Sequence, residues 1–239
     1  MKSLSIVLAL LLFAGGAHAQ YDAGATVGMG QGMVLNNAVI GSNVMGDVIL
    51  QKGRDSTQRQ PAPSAANLAA LQFHTSSEVS QNVLDRIARQ FGGRQPDTYR
   101  QALVREGVLA KFDALLQRYG YSNRDVADAF TAYLVLSWEV VNNSDAKSDR
   151  AGVDAVRRKM QQALARNPRF TAMPDAQKQE MAETFGYLAM IATATRGELQ
   201  RKGDPMGMAK LQDGVNGMAQ KMGVNLRTIR MTPQGFVAL

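Results

Sequence analysis

The stretch Ser122–Val141, SNRDVADAFTAYLVLSWEVV, constrains the fold more than any other part of the chain. Stepped at about 100° per residue, Phe130, Leu134, Trp138 and Val141 gather on one side of a helix, and Ala129, Tyr133, Leu136 and Val140 on an adjoining side. Arg124, Asp125, Asp128 and Glu139 share the narrow remainder. A surface helix needs an apolar stripe of roughly 100°, and this arc covers more than half the circumference, so the helix is expected to pack on several sides. It is too short and too charged to span a bilayer, which takes about 20 mostly apolar residues. Ser122 is the expected N-cap, with Asp125 three residues on in a variant of the capping box, and Asn142-Asn143-Ser144-Asp145 ends the helix. Ser137 falls among apolar residues and is expected to bond back to the carbonyl of Tyr133.

Residues 1–19 read as a signal peptide: Lys2, an apolar run from Leu4 to Ala14, and the small-x-small cleavage site Ala17-His18-Ala19. The mature chain is expected to begin at Gln20 in the periplasm or outside the cell. No later run is long and apolar enough for a membrane anchor. Without Lys2 the 27 Lys and Arg become 26 against 20 Asp and Glu, a net charge of +6. These charges form no run, so they read as an ordinary solvated surface, and export argues against nucleic acid as a partner. There is no cysteine, which excludes disulfides, thiol nucleophiles and Cys zinc sites and leaves burial to hold the fold.

Residues 20–72 read as a mostly disordered Gly/Pro-rich arm, with short β-prone bursts such as Val48-Ile49-Leu50 that suit strand addition to a partner. A helical domain is expected over 73–239. Thr75-Ser76-Ser77 with Glu78 opens a helix that Gly92-Gly93 stops. Pro96 opens the next, with a possible break at Gly107. After the Trp138 helix comes one from about Asp149 to Arg166, whose basic residues, Arg157 among them, scatter as a solvated face. Pro174 starts a second buried helix, with Met181, Phe185, Leu188 and Ala192 on one face, a natural partner for the Trp138 helix. A last helix carries Met208, Leu211, Val215, Met218 and Met222, and an extended tail turns at Pro233 and Gly235. The expectation is all-α: a single orthogonal or bundle-like domain of about six helices after a flexible arm.

Chemistry is sparse. His74 is the one histidine left after the leader and sits in a capping region. That leaves carboxylates as acid/base material. Asp128 and Glu139 are the catalytic candidates for a cell-wall glycan hydrolase, and Asp125, Asp128 and Tyr133 the binding candidates. Met206-x-Met208 and Met218-xxx-Met222 raise a copper(I) binder, since thioether sulfur suits a soft metal, although the same residues share a core stripe with Leu211 and Val215. Gly28-Met29-Gly30-Gln31-Gly32 lacks the context of a phosphate loop. No cofactor is expected.

Gly120-Tyr121-Ser122, then Asp125-Val126-Ala127-Asp128-Ala129-Phe130, Ala132-Tyr133 and Trp138, resembles the signature of an uncharacterised family of exported bacterial all-helical proteins, a domain of unknown function. The C-terminal Thr232-Pro233-Gln234-Gly235-Phe236 is similar too, and the resemblance covers roughly 70–239. It implies an all-α fold and export, and brings no activity, substrate or catalytic residue. With no Cys, one His after the leader, no recognised catalytic motif and a packed helical scaffold behind a sticky arm, the expected function is a non-enzymatic binding or structural protein of the bacterial envelope, with an envelope or secreted protein as partner.

Overall fold

The computed structural model describes residues 62–239. The expected leader and most of the expected arm lie outside the described residues. The helices are α1 (Ala65–Ala69), α2 (Ser77–Phe91), α3 (Pro96–Arg105), α4 (Val108–Arg118), α5 (Val126–Asn142), α6 (Arg150–Arg166), α7 (Pro168–Thr171), α8 (Asp175–Lys202) and α9 (Pro205–Lys221). A 3-10 turn (Leu226–Thr228) leads into a hairpin of β1 (Ile229–Thr232) and β2 (Gly235–Ala238), in which Met231 pairs Phe236. The six expected helices are α2, α3–α4, α5, α6, α8 and α9. Gly107, in the left-handed region at φ 58°, divides the second of them.

Helix α5 runs through the middle, with residues facing α8, α6 and α9. Fourteen of its seventeen residues are buried, as the broad apolar arc requires. Its main partner is α8: Phe185 stacks on Phe130 at 4.5 Å and on Tyr133 at 4.8 Å between ring centroids. Helices α2 and α4 cover other faces of α8, and Gly186 lets the Phe112 ring of α4 approach closely. Beneath the hairpin, Trp138 donates its indole N–H to the Ile229 carbonyl at 3.1 Å and packs on Phe236.

Two capping expectations need correction. Helix α5 is capped by Asp125, not Ser122: the Asp125 carboxylate accepts the N–H groups of Ala127 (2.8 Å) and Asp128 (3.2 Å). Asp125 is the last extended residue, so the helix begins one turn later than the Ser122 cap implies. At α2 no side chain of the Thr/Ser cluster caps the helix. Instead the Gln179 amide of α8 accepts the Ser76 N–H (2.7 Å) and donates to the Ser76 carbonyl (2.8 Å), acting as a missing peptide partner.

The expected limit of the arm, residue 72, lies within packed structure. Leu71 is fully buried, its carbonyl accepts the Val126 N–H (3.1 Å), and Phe73 N–H donates to the Arg124 carbonyl (3.0 Å). Leu71 and Phe73 form a short extended clip against the segment entering α5, with Gln72 opposite Asp125.

Candidate functional site

The motif Gly120–Asp128 builds a polar lock at the start of α5. Gly120, at φ 64°, ends α4 and turns the chain. The Ser122 hydroxyl accepts the Arg124 N–H at 3.1 Å, and the Ser122 N–H donates to Asp128 Oδ2 at 2.8 Å. Asp128, 0% exposed, also receives a two-point grip from Arg157 of α6: Nε to Oδ1 at 2.5 Å and Nη2 to Oδ2 at 2.7 Å. The Arg157 guanidinium lies 4.3 Å from the centre of the Tyr121 ring. The Tyr121 hydroxyl donates to Asp154 at 3.0 Å. Asp154 is paired with Arg150 at 2.8 Å, and Arg150 donates to the Tyr119 carbonyl at 2.6 Å.

Electrostatics follow this order. Burial, then the neighbouring Asp128 charge, push the Asp125 carboxyl up to about 6 against two backbone N–H donors. Burial works against ionisation of Asp154 as well, but the bonds from Arg150 and Tyr121 prevail and hold it below the usual carboxylate range. Burial raises Tyr121, and the Asp154 hydrogen bond adds to the rise. Each Asp128 oxygen already has a strong donor, so the carboxylate acts as a fastener rather than as a base facing a substrate.

The other candidates are not brought to this place. Glu139 is eleven residues further along α5, about 16 Å at the helical rise. Its carboxylate accepts the Ala146 N–H at 2.7 Å and fixes the loop after the helix. Burial raises its pKa, partly offset by that bond. Tyr133 stacks in the core on Phe185. His74 is 98% exposed at its side chain, and its ring Nδ1 and backbone N–H both meet Asp175, at 2.7 and 2.9 Å. Met218 and Met222 are buried in the core, whereas Met206 is 73% exposed.

Ser137 departs from expectation. Its hydroxyl is buried and has no hydrogen-bond partner, so the bond to the Tyr133 carbonyl does not form. Thr131 does make the corresponding bond, to Ala127 at 2.7 Å. The Ser137 side chain instead helps line a small slot between α5, α8 and α9, which Phe91 of α2 also lines.

Residue-type reasoning missed Arg157, Tyr121, Asp154 and Gln161, whose amide donates to Asp128 Oδ1 at 3.5 Å. A signal existed: Arg150, Asp154, Arg157 and Gln161 recur at i, i+4, i+7 and i+11, one polar stripe along α6. Pooling all the basic residues of that helix hides it.

A family model matches residues 1–239. The chain belongs to a family of unknown function, DUF6683. No curated protein and no solved structure matches it. The DUF6683 chain forms no group of three or more His, Cys, Asp or Glu positioned to hold a metal ion among the described residues. Nor is any helix among the described residues long and apolar enough to cross a membrane.

Proposed function

We propose that this DUF6683 protein is an exported, non-catalytic binding or structural protein of the bacterial envelope, periplasmic or secreted, that works through another envelope or secreted protein. The observation that supports this reading is the engagement of its carboxylates. Asp125 caps α5, Asp128 is buried in the grip of Arg157, and Glu139 holds a loop N–H. A glycan hydrolase needs two carboxyls facing one sugar across roughly 5–9.5 Å, one of them free to give up a proton. Asp128 and Glu139 lie at opposite ends of one helix. A methionine copper site draws no support from Met218 and Met222, whose side chains fill the core beside Leu211 and Val215.

Three measurements test the reading. Mass spectrometry of the exported chain should find Gln20 at its N-terminus. The purified chain 20–239 should leave a peptidoglycan zymogram unchanged, and clearing that disappears in Asp128→Asn or Glu139→Gln would overturn the non-catalytic reading. Crosslinking in intact cells should join chain 20–239 to one envelope protein, and failure to join any would remove the binding role.

A further inference from the structure

The chain turns between α3 and α4 at a single residue. Helix α3 ends at Arg105, and Glu106 keeps right-handed angles (φ −75°, ψ −11°). Gly107 alone is left-handed, at φ 58°, and Val108 opens α4. A right-handed Gly107 would join Pro96 through Arg118 into one straight helix about 35 Å long. The described residues before this joint form a lobe of their own. Helix α3 packs chiefly on α2, and Arg100 fastens the two by donating to Asp85 at 2.5 Å. The lobe meets the rest of the molecule in three places: α1 on α6, the Leu71–Phe73 clip on the entry to α5, and α2 on α8. The α2–α8 seam is partly polar. Ser80 donates to Glu183 at 2.6 Å, and Arg86 pairs with Glu180. Arg86 Nε and Glu183 Oε2 are buried there without a hydrogen-bond partner. Polar contacts mark surfaces that part and re-form, in contrast to a permanent apolar core. Beside the joint, Val104 is 57% exposed. In the straight helix it would stand one turn from Val108, on the same side.

We propose that two copies of the chain exchange these lobes. Gly107 straightens in both, and residues 62–106 of each dock on the body of the other through the contacts that close the monomer. The occupant is a second copy because its lobe matches every pocket and bond by construction, and the cost is confined to the hinge and to association. Twofold symmetry brings the two straight helices together at the hinge, where Val104 meets its own copy. The exchange rests neither on export nor on an envelope partner.

Size-exclusion chromatography with light scattering, over a range of concentrations of the purified chain, tests it. Monomer should give way to dimer as concentration rises. Gly107→Ala disfavours the left-handed turn and favours the helix, so the dimer dissociation constant should fall about tenfold per hinge, about a hundredfold in all. Val104→Ser should weaken the dimer and leave urea unfolding of the monomer unchanged. Arg86→Glu and Glu180→Arg each set like charges across the seam of a monomer. Mixed, the two variants should form a heterodimer in native mass spectrometry, because lobe exchange restores opposite charges at both seams. The chain carrying both substitutions should match the parent in circular dichroism, which separates a lost contact from a lost fold. A parent chain and a Gly107→Ala variant that both stay monomeric at every concentration would overturn the proposal. So would a mixture that yields no heterodimer while the doubly substituted chain folds.

Discussion

Asp125 and Asp128 are both buried and three residues apart, yet they serve α5 in opposite ways. Asp128 is held by partnership, since Arg157 and the Ser122 N–H satisfy both oxygens. Replacing Arg157 with Met leaves that carboxylate buried without its counter-charge and should cost about 3 kcal/mol in urea unfolding. Adding Asp128→Asn to Arg157→Met should recover part of that loss, a coupling that a double-mutant cycle measures. Asp125 has no basic partner of its own, and its carboxyl sits at about 6 rather than 3.8. A raised folded pKa means that the native state holds the proton more tightly than the unfolded chain does. Its stabilising effect is therefore full below pH 4 and fades as pH rises through 6. Asn caps a helix as well as Asp does and carries no charge. Asp125→Asn should thus be near neutral at pH 4 and should stabilise the protein by about 1–2 kcal/mol at pH 7, read from thermal unfolding at the two pH values.

Helix α8 shows how one element can be both core and frame. Its first half meets α2 through Gln179, Glu180 and Glu183, which bond Ser76, Arg86 and Ser80. Its middle lies under α4, where a Cβ on Gly186 would meet Phe112 Cδ1 at 2.7 Å. Gly197, three turns on, has nothing within 4 Å of the same position. Opposite outcomes follow from the same substitution. Gly197→Ala should stabilise by about 0.5–1 kcal/mol, because alanine is the better helix former. Gly186→Ala should destabilise by about 1–3 kcal/mol through overpacking. Equilibrium unfolding of the two variants checks the contrast. Helices α5 and α8 were legible in the sequence because burial on several sides writes a broad apolar arc, and Pro96, Gly107 and Pro174 marked boundaries. The Gln179 bridge was not, because residues 76 and 179 meet only once the helices have packed. The Asp128–Arg157 pair was illegible for the same reason: Asp128 stood out as a carboxylate, and only tertiary structure supplies its cation.

For the molecule as a whole, a single tryptophan placed at the junction of helix and hairpin makes the packing observable. Trp138 touches Phe236 and bonds Ile229, so its emission reports whether the last eleven residues are seated. Phe236→Ala should cost about 3–5 kcal/mol and shift the Trp138 emission to the red as water reaches the indole. An unshifted spectrum would mean that the hairpin closes over the tryptophan without that ring.

The clip formed by Leu71 and Phe73 also settles where a load would be carried. A pull on the N-terminal chain first unravels α1, which buries no side chain. It then meets the two backbone bonds to Arg124 and Val126, at the foot of the central helix. Asp175 backs this joint by gripping the His74 N–H, and Gln179 does the same at Ser76. The N-terminal chain is thus tied to the most deeply embedded element of the fold, and the joint is arranged as a tether able to take tension.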